Sequence, residues 1–171
     1  GMNMARMIGL RAGPMMAASD SFEITVKGRQ THGSRPWNGI DPIVVSAQII
    51  NSMQTIVSRQ SDVTKAPAVV SVGAIKGGVR SNIIPDSVNM VGTIRNFDMQ
   101  MREDIHKSLE RIVVKTAEAQ GAEVEFEIDL GYPVTVNNPA LTTKMTPTLE
   151  RVFGAGRIVD PGLITGAEDF S

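Results

Sequence analysis

The chain has 171 residues, of which 42% are hydrophobic and 20% charged, enough for one globular domain or one domain with fragments of another. The net charge of −1 argues against nucleic acid or an anionic membrane as a partner, because both attract a clustered positive excess. With no cysteine and two histidines, disulfides, thiolate sites and a histidine-rich metal centre are excluded. We expect a cytoplasmic protein without a secretory signal or membrane span.

The first part of the chain predicts strands, a loop and a helix. Residues 7–12 predict a short strand, and residues 21–29 alternate apolar and polar side chains as a half-buried strand does. Residues 30–40 are rich in Gly, Pro, Ser and Asn, which is typical of a loop. An Asp-Pro pair then opens a helix predicted over residues 41–59. Its apolar stripe is broad, so we expect it to contact a sheet on one side and a second body on the other.

A second set of elements follows. Strands are predicted over residues 68–75, 88–96 and 123–130, with a glycine-containing connection over 76–87 and a helix over 99–120. In the last strand the side chains expected to point inward are Val124, Phe126, Ile128 and Leu130. The β-α-β-β-α-β order predicts an α+β, ferredoxin-like sandwich, with two helices on one face of a four-stranded antiparallel sheet.

Residues 132–171 are expected to lie outside this unit. Asn138 and Pro139 predict the start of another helix, and Pro147 predicts a break or kink within it. A short strand is expected over residues 157–159. The last residues carry no cap or turn, so we expect this segment to be truncated.

Three polar side chains are candidate site residues. His32 stands beside a glycine in a loop, where an imidazole can donate a proton or a hydrogen bond near neutral pH. Asn82 could present its amide to a ligand, and Arg95, at a strand end, could bind a carboxylate with two hydrogen bonds. Taken singly, His32 is favoured as a surface loop residue without a role, Asn82 as a turn residue and Arg95 as a solvated strand-end residue. His106 is expected to be solvated on the polar side of the second helix.

Seven short segments recur in the same order in one family of enzymes. They cover residues 9–18, 22–28, 31–33, 39–42, 81–86, 92–98 and 166–170. They include Thr-His-Gly at 31–33 and Gly-Ala-Glu-Asp-Phe at 166–170. On these segments the chain resembles the M20 amidohydrolases that cleave N-acyl amino acids, such as hippurate hydrolases and aminoacylase-like enzymes.

The resemblance implies a domain organisation. Residues 20–131 would form a lid that pairs two subunits into a homodimer. Residues 1–19 and 132–171 would be remnants of a zinc-peptidase-like α/β catalytic domain. The alternative that stays open is a stand-alone ferredoxin-like module that binds a ligand or dimerises without catalysis.

The resemblance also implies site roles. His32 would stabilise the oxyanion in the partner subunit's active site, and Asn82 and Arg95 would bind the carboxylate end of an N-acyl amino acid. Two divalent ions (zinc, manganese, cobalt or nickel) are implied for the full-length enzyme. This chain itself is expected to bind no cofactor, because the family's metal ligands find no match in it, and to be inactive alone.

Overall fold

The computed structural model describes residues 7–169 and residue 171. Residues 1–6, in the predicted first segment, and Phe170, in the last matching motif, lie outside the described residues. The strands are β1 Ile8–Gly9, β2 Gly13–Met16, β3 Ala18–Lys27, β4 Thr31–His32, β5 Ala68–Gly77, β6 Ile83–Ile84, β7 Ser87–Asn96, β8 Glu123–Leu130, β9 Thr135–Asn137 and β10 Ile158–Val159. The helices are α1 Pro42–Thr55, α2 Met99–Ala119 and α3 Pro139–Phe153.

The main sheet has four strands in the order β5-β7-β3-β8, and every neighbouring pair is antiparallel. Helices α1 and α2 pack together on one face of this sheet. The β-α-β-β-α-β order and the layer arrangement predicted from the sequence are therefore confirmed.

The core lies between this sheet and the two helices. Strand β3 directs Phe22, Ile24 and Val26 into it, as the alternation predicts. The inward side chains of the helices are Val45, Ile49 and Met53 from α1 and Ile105, Leu109, Val113 and Ala117 from α2. Two apolar residues of α1 face away from the sheet: Ile43 is 45% exposed and Val44 is 49% exposed. The helix thus has two apolar sides, and the sheet covers only one.

The N-terminal and C-terminal segments pair with each other beside the main sheet. Strand β1 pairs in parallel with β10, and β2 pairs antiparallel with β9. The amide of Ala17, just before β3, lies 3.0 Å from the carbonyl oxygens of both Ile164 and Gly166. Among the described residues, no helix combines the length and the apolar content that crossing a membrane requires.

One local prediction is wrong, and one half of another is. Leu130, expected to point inward, is 66% exposed. Its neighbour across the ladder is Asp20, whose carboxylate bonds polar side chains of α2, so Leu130 meets no apolar surface there. At Pro147 a break or a kink was predicted, and the break does not occur, because α3 runs through this residue. Threonine hydroxyls of this helix donate to carbonyls one turn earlier, such as that of Thr146 to Thr142 at 2.9 Å, and add bonds around the proline.

Candidate functional site

His32 and Asn82, fifty positions apart in sequence (82 − 32 = 50), come together in the fold. Both segments were predicted as loops, but β4 and β6 form a short antiparallel pair in which His32 stands opposite Ile83. The amide of Gly33 donates to the carbonyl of Asn82 at 2.7 Å. Both candidate side chains belong to exposed residues. One of the two predicted carboxylate-binding residues therefore lies beside the predicted oxyanion donor.

Ser34 fixes the orientation of the His32 ring. Its backbone N–H donates to His32 Nδ1 at 3.1 Å, and its hydroxyl lies 2.7 Å from the same atom. A backbone N–H can only donate, so Nδ1 is the acceptor, and the neutral ring carries its proton on Nε2. His32 thus presents an N–H donor on an exposed turn, which a hydrogen bond from the Arg35 amide to the His32 carbonyl closes at 2.8 Å.

A cleft of about 570 Å³ lies next to this pair. Its lining includes Gln30, Lys76, Arg80, Ile83 and Asn89. Ile83 directly follows Asn82, and Lys76 and Arg80 bring positive charge to the cleft. The acidic Asp86 also lines the cleft, whereas His32 and Asn82 lie beside it.

Arg95 lies at the other end of the sheet. It stands eight positions after Ser87 on β7 (95 − 87 = 8), which is about 27 Å along an extended strand. Its side chain is partly buried on the face opposite the helices and donates to the carbonyls of Ile94 at 2.9 Å and Asp20 at 3.4 Å. Within one chain, Arg95 does not join His32 and Asn82.

At the same end of the sheet as Arg95, but on the opposite face, which the helices cover, lies a buried ionic cluster. The carboxylate of Asp20 accepts hydrogen bonds from Arg102 Nε at 2.8 Å, from Arg102 Nη2 and from His106 Nε2 at 2.8 Å. The Asp20 side chain is fully buried, and that of His106 is only 19% exposed. The prediction that His106 is solvated is wrong, because the ring reaches over the start of β3 to this carboxylate.

The ionisation of Asp20 follows from its partners. Burial by itself raises the pKa of this carboxyl group, but the hydrogen bonds from Arg102 and His106, the Arg102 charge and the Gly131 amide together outweigh it and hold the pKa below its ordinary value. The carboxylate in turn raises the pKa of Arg102. Asp20 and Arg102 are thus a charged pair at neutral pH.

Comparison with known proteins identifies the family. Residues 18–121, most of the four-stranded unit, match the model of a peptidase dimerisation domain found in M20 enzymes. The chain belongs to the M20 peptidase family. Within the M20 family, this segment is the dimerisation domain predicted from the motifs. A stand-alone module is not favoured, since the similarity to hydrolases covers most of the chain.

Several M20 relatives are similar over nearly the whole chain. Thermostable carboxypeptidase 2 of Saccharolobus solfataricus is 42% identical over 163 residues, which are 94% of this chain and 40% of that protein. The N-acyl-L-amino acid amidohydrolase of Geobacillus stearothermophilus is 42% identical over 76% of this chain and 35% of its own length. The chain thus spans about two fifths of these relatives.

Solved M20 structures agree with the fold. The Bacillus subtilis YXEP protein, described as a dinuclear metal-binding peptidase of the M20 family, has a TM-score of 0.73 and 30% identity, and the match covers 95% of this chain and 39% of that one. A protein from methicillin-resistant Staphylococcus aureus has a TM-score of 0.85 at 27% identity, with 96% of this chain and 42% of the other covered. Both likenesses extend beyond the four-stranded unit into the paired terminal segments.

The residues described here do not present the metal site that the M20 family implies. In residues 7–169 and 171, no group of three or more His, Asp or Glu side chains stands close enough to hold an ion. The acidic residues of β8 lie in a row along an edge strand, and Asp20 is occupied by Arg102 and His106. The described part of this M20 chain does not fit a pair of metal ions on its own.

The ionic cluster left a weak signal in the sequence. The alternation that buries Phe22 and Ile24 places Asp20 on the same inward face. Arg102 and His106 are four residues apart (106 − 102 = 4) and so share one side of α2. An inward acid facing two basic side chains of one helix could have been proposed, but only tertiary packing shows that the three meet.

Proposed function

We propose that this chain is the lid and dimerisation part of a metal-dependent M20 amide hydrolase that acts on N-acyl amino acids. In this proposal residues 20–131 form the lid, while residues 1–19 and 132–171 belong to the catalytic domain, which binds two divalent ions such as zinc, manganese, cobalt or nickel. The Geobacillus relative, whose name specifies N-acyl-L-amino acids, supports the substrate class. The cytoplasmic location expected from the composition stays a prediction.

The observation that carries the proposal is the presentation of His32. An exposed turn presents an Nε2–H donor while Ser34 holds the opposite nitrogen. Hydrolysis of an amide builds negative charge on the carbonyl oxygen, and a preorganised donor stabilises that charge more in the transition state than in the substrate. His32 would supply such a donor to an active site formed by another surface.

The separation of the candidate residues supports a site shared between two subunits. His32 and Asn82 lie at one end of the sheet, and Arg95 lies near the other end of β7, about 27 Å from Ser87 along the strand and beside the terminal segments. These three side chains can bind one substrate only if they come from different chains. We propose that Arg95 acts with the catalytic domain of its own subunit, while His32 and Asn82 come from the partner.

The outer side of α1 supports a homodimer and makes it testable. Ile43 and Val44 are about half exposed there. Gly78 lies beside Ile43, and the next residue, Val79, is fully exposed. An apolar surface of this kind is typical of subunit interfaces. We expect light scattering to give the mass of a dimer, and Val44→Glu to shift the chain toward monomer.

A matched control for this prediction is Val152→Glu, which places the same charge at an exposed valine of α3, outside the four-stranded unit. This variant should keep the dimer mass. A monomer in the wild-type chain at high concentration would contradict the two-sided interpretation of α1.

The isolated 171-residue chain is expected to be inactive. Because the described residues present no three-ligand metal site, we expect no hydrolysis of N-acyl amino acids when zinc, manganese or cobalt is added. Release of the free amino acid is the measurement, and the full-length enzyme is the positive control. Turnover by the isolated chain that survives His32→Ala would contradict both the expected inactivity and the role of His32.

A further inference from the structure

The buried cluster of Asp20, Arg102 and His106 sits where the chain passes between the four-stranded unit and the paired terminal segments. Asp20 is near the start of β3, just after Ala17, whose amide bonds the C-terminal segment. Arg102 and His106 belong to the first two turns of α2. The side chains of Asp20 and Arg102 are 0% and 9% exposed. A charged pair this deeply buried is rare unless its partners are satisfied.

The cluster joins the segment that enters the four-stranded unit at β3 to the segment that leaves it after β8. The amide of Gly131 donates to Asp20 Oδ1 at 3.1 Å, and Arg102 Nη2 donates to the Gly131 carbonyl at 3.3 Å. The Ser19 amide donates to the Tyr132 carbonyl at 2.9 Å. The two segments lie so close that a Cβ at position 131 would collide with the Ser19 carbonyl oxygen. Asp20 therefore fixes the outgoing segment against the incoming one.

The same residue also holds Arg95. The backbone carbonyl of Asp20 accepts a hydrogen bond from Thr93 Oγ1 at 3.0 Å and from Arg95 Nη1 at 3.4 Å. Arg95 Nη1 also bonds Thr93 Oγ1 on the open face of the sheet. A shift of Asp20 would therefore move the carbonyl on which the Arg95 guanidinium rests.

Stability alone gives a weak reason for such a cluster. Replacing a buried ion pair by apolar side chains of similar volume is often neutral or stabilising, because the pair must be taken out of water. The ionic arrangement adds directional hydrogen bonds, since Asp20 and Arg102 both bond Gly131 and so fix its position. Fixed direction matters most where two segments determine how one unit of the chain is oriented against another.

We propose that Asp20, Arg102 and His106 form a clamp of positioning residues that holds the two ends of the lid together where they join the catalytic domain and thereby orients Arg95 toward the substrate carboxylate. The clamp itself is argued from this chain, whereas its effect on substrate binding rests on the proposed function. His106 is the residue to test, because it is the outermost member and its loss leaves Arg102 and the Gly131 amide in place.

The first test is amide hydrogen exchange on the 171-residue chain. His106→Ala should raise the exchange rates of the Ser19 and Gly131 amides by about tenfold, the order expected for losing one charge-assisted hydrogen bond, and leave α1 unchanged. His106→Gln, which keeps an N–H donor for Asp20, should restore much of the protection. Lys107→Ala, a neighbouring exposed position, is the matched control. Unchanged exchange at both amides, or an equal rise throughout the chain, would overturn the clamp.

The second test is the kinetics of the full-length enzyme on an N-acetyl amino acid. If the clamp orients Arg95, His106→Ala should raise KM by about tenfold while kcat changes little, and His106→Gln should reverse the rise. A fall in kcat without a change in KM would refute the link to Arg95. A wild-type enzyme without amidase activity would instead refute the proposed function, and the exchange experiment would still decide whether the clamp exists.

Discussion

Replacing His32 by alanine in the full-length hydrolase is expected to lower kcat by about 10²–10³-fold and to change KM little. The reason is that the Nε2–H donor would act on negative charge present only in the transition state. Steady-state hydrolysis of an N-acetyl amino acid is the measurement. Arg35→Ala, which alters an exposed residue of the same turn, should keep kcat within about twofold. An unchanged kcat in His32→Ala would refute the proposed role.

Mixing two inactive variants tests whether the site is shared between subunits. In a dimer of one His32→Ala chain and one Arg95→Ala chain, one site would combine an intact Arg95 with an intact His32 and Asn82, and the other would lack both His32 and Arg95. Random pairing makes half of the dimers mixed, so about a quarter of wild-type activity should return.

The control mixture combines His32→Ala with Asn82→Ala. Because the Gly33–Asn82 hydrogen bond keeps these two residues together in one chain, each site of the mixed dimer would still lack one of them. No recovery is expected. Equal recovery in both mixtures, or none in the first, would contradict the assignment of Arg95 to one subunit and of His32 and Asn82 to the other.

Replacing Arg102 by methionine is expected to lower the free energy of unfolding of the 171-residue chain by about 3 kcal/mol. The side chain of Asp20 is fully buried, and removing its main cation leaves an incompletely paired charge, a change that typically costs about 3–5 kcal/mol. We expect a loss at the lower end of this range because His106 and the Gly131 amide still donate hydrogen bonds to the Asp20 carboxylate. Urea denaturation at neutral pH is the measurement.

Two further variants test whether the loss in Arg102→Met is electrostatic. Lys107→Met on the same helix changes a side chain that is 71% exposed and should alter the free energy of unfolding by less than about 0.5 kcal/mol. Asp20→Asn combined with Arg102→Met should recover part of the loss, because no unpaired charge remains. Equal losses in the single and double variants would contradict an electrostatic origin.

Acid should weaken the cluster in the wild-type chain. The pKa of Asp20 is lower in the folded chain than its ordinary value, so the unfolded chain takes up this proton first. The stabilisation is therefore complete above the ordinary pKa and is lost as the pH falls through the folded pKa. The difference between wild type and Arg102→Met should shrink over the same range.

The sequence by itself determined the layers and the family. Period-two alternation in β3 and β7, and the helix-opening residues Asp41 and Asp98, are local signals, so they predicted the strands, the helices and their order. The ordered motifs predicted the M20 dimerisation domain. These features depend on neighbours within a few residues, which is the range over which a sequence pattern can be interpreted.

Tertiary structure decided which distant residues meet. Both His32 and Asn82 were expected in loops, and they meet because β4 and β6 pair across fifty positions. Arg95 fits the same family pattern, yet the rise of an extended strand carries it to the opposite end of the sheet. His106 was expected in solvent on the polar side of its helix, but that side faces Asp20 at the start of β3. A helix pattern shows which residues share a side, whereas only packing decides what that side contacts.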